Sequence, residues 1–282
     1  MRRVAEFDED WYAARLIGPD NPFDDAYVKR EVKWYGAKAL QVATADGLTL
    51  QLKNPQGALP DYFNKNFRLD PTLLIPTLYL DGVLWMSLTP MEIQSQFLAI
   101  NNASGEVGVA GLGMGYAALK MAQKPEVVSV TVFEIDNRVI DFFNRTFRRR
   151  KGFKKIEIVP CDARSVMPTF QFDFLYVDIY ATMLPDEIVE DIERFSACVR
   201  DFPEGYCFWG QERVLLDAAL GHELIDPEDL PLTLRALLGR WMKTPVSLTD
   251  PRLADTMLSD MYHPVPDVEF IEKVLDALGM EH

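Results

Sequence analysis

Three glycines at alternate positions are the first residues of this sequence that could hold a ligand. Gly111, Gly113 and Gly115 follow the apolar run 107–110 and precede small and apolar residues at helical spacing. This pattern predicts a strand, a tight turn and a helix. Glycine lets the turn take positive φ and lets a ligand approach bare backbone. Because the first turn of a helix offers unpaired N–H groups, the turn would suit a carboxylate or a phosphate.

Acids close the three apolar runs that follow the glycine turn, and these acids are Glu134, Asp162 and Asp178. In an open α/β sheet the ligand lies beyond the carboxyl ends of the strands. An acid at the tip of the second strand can accept two hydrogen bonds from a ribose diol, and Glu134 is the candidate. Asp136 is a second candidate, although it could instead cap the following helix. The glycine turn together with the three acids is stronger evidence for a ligand site than the glycine turn alone.

Asp178 is also the best-placed residue for catalysis, because it could orient or deprotonate a nucleophile. Its alternative role is a helix cap or a hydrogen bond to the turn. Tyr180 stands at the same strand tip and could contact a substrate or line a pocket, with packing as its alternative. No His/Cys spacing is typical of a zinc site.

The runs alternate with helical patterns over 116–123, 137–147 and 184–200, and 205–210 reads as a fifth strand. Alternating strands and helices indicate an α/β protein with a doubly wound, Rossmann-like parallel sheet covered on both faces.

The chain before this sheet predicts a small antiparallel β-domain. Two hairpins turn at Asp46-Gly47 and at Asp81-Gly82, since Asp-Gly is a strong hairpin signal. Residues 54–69 are loop-like, and 27–35 could be a short helix or a strand. Pro90 would open a helix that continues to Ile100, with Gln94 and Gln96 as ordinary exposed residues.

The leucine-rich stretch 211–282 predicts a helical tail broken by prolines. The predicted domains are therefore 1–88 (an N-terminal segment and the β-domain), 89–210 (the nucleoside-binding α/β domain) and 211–282 (a helical extension packed on it).

The formal net charge of −14 speaks against a nucleic-acid substrate. The basic run 145–155 is the exception, and it is either a solvated helix end or a patch for an anionic partner. No apolar stretch is long enough for a membrane span, and the N-terminus does not resemble a secretory signal. Three unpaired cysteines suit a reducing compartment, so we expect a cytoplasmic protein.

The glycine turn and the three acids resemble class I S-adenosylmethionine-dependent methyltransferases, and within them the spermidine synthase-like branch. The resemblance covers roughly residues 70–210, and the run Leu78-Tyr79-Leu80-Asp81-Gly82 is its second anchor. It implies S-adenosylmethionine as cofactor. The residue matching Glu134 would bind ribose, Asp162 with Ala163 beside it would lie against the adenine, and Asp178 would face the transferred group. The three glycines would pack under the amino-acid end of the cofactor.

Three departures from the aminopropyltransferases concern the substrate half of the resemblance. Met114 stands where those enzymes have an acid in the glycine turn, and Ala181 replaces their second acid after Asp178. The polyamine segment falls near 94–96 without its Tyr or its acid. The sequence therefore predicts methyl transfer to a small-molecule acceptor.

Other functions stay open at this stage. They are aminopropyl transfer, an NAD-dependent dehydrogenase, for which Gly113, Gly115 and Ala118 fit the relaxed fingerprint, and a non-catalytic nucleoside-binding or interaction protein. The sequence also leaves open whether the chain forms a homodimer.

Overall fold

A computed structural model describes Pro22 and residues 24–36, 44–60 and 66–181 of the 282-residue chain. It also describes 187, 190–191, 194–195, 197–200 and 205–210. The predicted tail 211–282, the strand 39–43 and most of the predicted helix 184–200 lie outside these residues.

The first part of the structure combines a helix with antiparallel strands. The elements in chain order are α1 (Asp25–Tyr35), β1 (Thr44–Ala45), β2 (Leu48–Lys53), β3 (Ala58–Pro60), β4 (Asn66–Arg68), β5 (Ile75–Leu80) and β6 (Val83–Ser87). One sheet has the order β1-β2-β5-β6, and β3 pairs with β4 separately. Both Asp-Gly turns have positive φ at both residues, as a type I′ hairpin turn requires. Both predicted hairpin turns and the second hairpin are therefore confirmed, and the first hairpin is described from Thr44 onward.

The second part is a parallel sheet with helices. Its elements are α2 (Pro90–Ser95), α3 (Phe97–Asn102), β7 (Gly105–Ala110), α4 (Tyr116–Gln123), β8 (Val127–Glu134), α5 (Asn137–Phe147), β9 (Ile156–Pro160), α6 (Ala163–Val166), β10 (Phe174–Val177) and β11 (Tyr206–Phe208). The strand order is β11-β10-β7-β8-β9 and every pair in it is parallel. Numbered along the chain and read from β9, this is the doubly wound order 3-2-1-4-5. The predicted fold class is confirmed.

The topological switch point lies between β7 and β10, because the chain crosses from one side of β7 to the other there. Ligands of open α/β sheets bind at this crevice, outside the carboxyl ends of the strands. The glycine turn follows β7 and Asp178 follows β10, so the fold places both at the switch point.

One apolar cluster extends through both sheets. It includes Leu50 and Leu78 of the antiparallel sheet and Val109 and Val132 of the parallel one. The proposed domain boundary at 88/89 therefore stays a prediction. Within the described ranges no helix is both long and apolar enough to cross a bilayer.

Three local predictions are settled or corrected. Residues 27–35, left open from the sequence, lie in α1, whose Asp24 cap accepts the Ala26 N–H. The loop prediction for 54–69 is wrong in part, because Leu59 pairs with Phe67 between β3 and β4. The helix from Pro90 breaks at Gln96 into α2 and α3.

Candidate functional site

Two of the three glycines are required by the packing of the turn itself. Gly111 has φ +89°, and a Cβ there would lie 1.9 Å from the carbonyl oxygen of Asp178. Gly115 has φ +73°, and a Cβ there would lie 2.2 Å from the ring of Phe143. Any side chain at these positions would push apart β7, β10 and α5. Both glycines are therefore needed for the close packing at this edge of the sheet.

Gly113 differs from the other two glycines. A Cβ there would meet only the side chain of Met86, 2.6 Å from its sulfur. The same sulfur lies 3.1 Å from the backbone nitrogen of Met114 and accepts its N–H. The space above Gly113 is therefore bounded by a flexible side chain from β6 and not by backbone, and a ligand could enter it if Met86 moved.

Glu134 ties the tip of β8 to the glycine turn. Its Oε2 accepts the Leu112 N–H at 2.9 Å, and its Oε1 accepts the Asp136 N–H at 2.8 Å. The side chain is buried. A carboxylate has about four lone-pair positions, so each oxygen keeps capacity for one more donor, such as a ribose hydroxyl.

Asp136 and Asp162 both cap helices. Asp136 accepts the Arg138 N–H at 2.8 Å, and Asp162 accepts the Arg164 N–H at 2.9 Å. The hydrogen bonds and charge of the Arg138 guanidinium hold the pKa of Asp136 below its usual range. Asp136 thus has the capping role that the sequence also allowed, and the ligand contacts predicted for Asp136, Asp162 and the buried Ala163 stay predictions.

Asp178 lies in a recess with a second carboxyl that the sequence reasoning missed. Its Oδ2 accepts the hydroxyl of Tyr176 at 3.1 Å and faces the Gln96 Nε2 at 3.5 Å. The same Gln96 nitrogen donates to Glu92, while the buried Gln96 Oε1 has no hydrogen-bond partner. We call Glu92, Gln96, Tyr176 and Asp178 the acid recess.

Burial is the main cause of unusual proton affinities in the acid recess. It raises the pKa of Asp178 to about 7, against a smaller lowering by the Tyr176 hydroxyl. Burial, and then the charge of Asp178, raise the pKa of Glu92 well above its usual range. A carboxyl that exchanges its proton near neutral pH is suited to general acid–base chemistry.

The prediction that Gln94 and Gln96 are exposed is wrong, because each is 1% exposed. Gln94 donates to the Pro22 carbonyl at 3.2 Å, and Gln96 reaches Asp178. Glu92 stands four residues before Gln96, on the same face of a helix, and Tyr176 stands two before Asp178, on the same face of a strand. These spacings are the signals that could have found them.

Tyr180 follows β10 at the same edge of the sheet. Burial and the nearby Asp191 carboxylate raise its pKa. Asp191 is itself buried and bound by the Arg164 guanidinium at 2.8 to 3.1 Å. Tyr180 therefore borders a structural ion pair, and its substrate contact stays a prediction.

The structure brings Gly111, Glu134 and Asp178 together at the switch point and places Asp162 and Tyr180 at the same carboxyl edge. No group of acidic, Cys or His side chains in the described part of the chain is arranged to hold a metal ion.

The basic run 145–155 divides into anchored and exposed cations. Arg150 donates to the Trp34 and Tyr35 carbonyls, and Lys155 donates to the Lys124 and Val127 carbonyls. The cations Arg148, Arg149, Lys151 and Lys154 are exposed along an open groove.

Comparisons with known proteins add solved structures only. No family model and no curated protein matches the chain. Spermidine synthase from Thermotoga maritima is 16% identical, over 60% of this chain and 55% of that one, with a TM-score of 0.40. A putative O-methyltransferase from Klebsiella pneumoniae is 15% identical over 38% and 50%, with a TM-score of 0.32. DhpI in its complex with SAH is 20% identical over 42% and 55%, with a TM-score of 0.33.

The chain thus spans about half the length of the solved structures that it matches. The doubly wound α/β fold itself follows from the chain's own strand order, β11-β10-β7-β8-β9.

Proposed function

We propose that the protein is an S-adenosylmethionine-dependent methyltransferase that acts on a small-molecule acceptor. The observation that carries the proposal is the meeting of the glycine turn, Glu134 and Asp178 at the switch point between β7 and β10. A nucleoside ligand of an open α/β sheet belongs in this crevice.

The residues at the switch point fit the cofactor. The free lone pairs of Glu134 suit the two ribose hydroxyls, and the space at Gly113, once Met86 has left it, suits the amino-acid end. Asp162 and Ala163, beyond β9, would border the adenine. Met86 would have to leave its contact with Gly113, which a flexible thioether side chain can do at low cost.

The bound cofactor supplies an activated methyl group on a sulfonium. The protein's part is to position the acceptor and to exclude water. Asp178 is the candidate for taking the acceptor's proton, because it is half-buried at the switch point and accepts the Tyr176 hydroxyl, which orients it. The two carboxyls of the acid recess, together with the net charge of −14, favour a small molecule over nucleic acid.

Aminopropyl transfer is the second candidate, and one observation favours it. Glu92 places a second carboxyl beside Asp178, although Ala181 lacks the acid expected there. The two candidates differ in the cofactor that they require, which is S-adenosylmethionine itself or its decarboxylated form.

Calorimetric titration tests the proposal. We would titrate the protein with S-adenosylmethionine, its demethylated product, its decarboxylated form and NAD. The first two should bind, and Glu134→Ala should weaken both by about tenfold or more, since a good charged hydrogen bond contributes about 1.5 to 3 kcal/mol. Preference for the decarboxylated form would favour aminopropyl transfer, and preference for NAD would favour a dehydrogenase.

Glu157→Ala is the matched control, because Glu157 is an exposed acid on the neighbouring strand β9. It should leave binding unchanged. Cooperative melting of Glu134→Ala must be checked, because that variant also loses two hydrogen bonds to the backbone. If no ligand binds the wild type, the enzyme proposal is wrong, and the fold serves interaction instead.

A further inference from the structure

Glu92 is a buried carboxyl beside Asp178 to which the proposed methyl transfer assigns no role of its own. It lies on α2, outside the parallel sheet, and is 8% exposed. The Gln96 amide nitrogen lies between it and Asp178, 82 residues further along the chain. Two carboxyls on separate elements thus share a single amide donor.

The groups next to this pair are acidic or neutral, and the Arg164 guanidinium further away is bound to Asp191. Tyr176 and Cys207 face it from β10 and β11, and Tyr180 lies beyond Asp178, with Asp191 and Arg164 behind. No Lys or Arg of the described residues is a source of the altered proton affinity of either carboxyl. Two carboxylates in such a place repel each other, so they lose their protons in two separate steps.

We propose that Glu92 is a positioning residue for Asp178. Because the two carboxyls lie on either side of one amide nitrogen and Glu92 is the more deeply buried, Glu92 keeps a proton while Asp178 is ionised, so that only Asp178 gains and loses a proton during turnover. The role of Asp178 in this inference rests on the proposed function. The pairing itself rests on the position of the Gln96 amide between Glu92 and Asp178.

S-adenosylmethionine, when bound, would supply a methyl group that passes to the acceptor's lone pair, with the electron pair of the broken bond left on sulfur. The proton that the acceptor loses would move to the ionised Asp178, which is half-buried, and pass from there to solvent. Glu92 would keep its own proton throughout.

Carboxyl carbon NMR of the full chain, titrated from about pH 5 to about pH 8 and beyond, tests the pairing without any acceptor. Asp178→Asn and Glu92→Gln assign the two signals. The wild type should show two deprotonation steps, and Glu92 should lose its proton in the step at higher pH. In Asp178→Asn the Glu92 midpoint should fall by about one unit or more, since coupling of this kind exceeds about one unit.

Glu92→Asp and Glu157→Gln make the test independent of folding defects. Glu92→Asp keeps a carboxyl and should retain two steps, whereas Glu157→Gln should change neither midpoint. The inference is overturned if Glu92 titrates in the ordinary range of glutamate, or if Asp178→Asn leaves its midpoint where it was. If Glu92 had only a structural role, its midpoint would be the same in Asp178→Asn as in the wild type.

Thermal unfolding provides a second measurement of the same pair. A carboxyl whose pKa is higher in the folded than in the unfolded chain stabilises the fold at low pH, and this stabilisation is lost as pH rises toward the folded value. The melting temperature should therefore fall between about pH 5 and about pH 8, and more steeply in the wild type than in Glu92→Gln. Equal slopes would contradict the pairing.

Cofactor titration separates this inference from the function. Two coupled steps without binding of S-adenosylmethionine would mean that the pairing exists and the methyltransferase proposal fails. Binding of S-adenosylmethionine together with an ionised Glu92 at neutral pH would mean that the methyltransferase proposal holds and the pairing fails.

Discussion

The glycine turn and the acid recess adjoin at Gly111 and Asp178, at the same switch point, yet they are built in different ways. The turn depends on its backbone: Glu134 accepts the Leu112 N–H, and Gly111 passes so close to the Asp178 carbonyl that no side chain fits. The recess is held by side chains that come from distant parts of the chain, namely Glu92, Gln96 and Asp178. Constraints on the backbone fix the shape of the turn almost independently of the residues around it. Contacts between side chains, in contrast, change when the residues that make them are substituted. The turn is thus suited to a constant ligand, and the recess to a variable acceptor.

Gly111→Ala should have the largest effect and would break the turn. The new Cβ would meet the backbone of Asp178 at 1.9 Å, at φ +89°, and neither group can yield. We expect a loss of about 3 kcal/mol or more in the free energy of unfolding, measured by denaturant unfolding.

Gly82→Ala is the matched control for this prediction. Gly82 has φ +82° and nothing within 4 Å of the position of a Cβ. It should cost only the backbone strain, about 1 kcal/mol. Equal costs for the two variants would mean that contact with Asp178 does not hold the turn.

Gly113→Ala should separate ligand binding from stability. Its Cβ would meet only Met86, which can turn away, so we expect a stability cost of about 1 to 2 kcal/mol. Binding of S-adenosylmethionine should be lost, because the methyl group fills the space assigned to the ligand. Calorimetry and thermal melting of the same sample measure both effects, and unimpaired binding would remove Gly113 from the site.

Trp209→Phe should have the smallest effect, and it tests how α2 is anchored beside the acid recess. Trp209 follows β11, and its Nε1 donates to the Ser95 hydroxyl of α2 at 2.8 Å. Phenylalanine keeps most of the packing and loses this bond, for a cost of about 1 kcal/mol. Ser95→Ala should cost a similar amount, and the double variant should cost less than the sum. Strict additivity would show that the bond does not anchor α2 beside Asp178.

The sequence predicted the turn well because its signals are local. Glycine spacing and β-branched runs ending in acids placed β7, α4, β8 and α5 close to their observed bounds. Asp46-Gly47 and Asp81-Gly82 predicted both hairpin turns for the same reason, since positive φ is a property of the residues themselves.

The recess was not predicted because its contacts are not local. Gln96 was interpreted as exposed, since nothing near it in the chain shows that Asp178 packs against it. Glu92 reads as an ordinary acid in the first turn of a helix, where acids are favoured anyway. Only the contacts of Gln96 with Asp178 and of Ser95 with Trp209 bring these two residues to the site.

A crystal structure of the protein grown with the demethylated cofactor product would test the central claim most directly. We expect the ligand at the β7–β10 switch point, with both ribose hydroxyls bound to Glu134. Its amino-acid end should lie over Gly113, and Met86 should be displaced. A ligand bound elsewhere, or a switch point that stays filled by Met86 at saturating ligand, would contradict it.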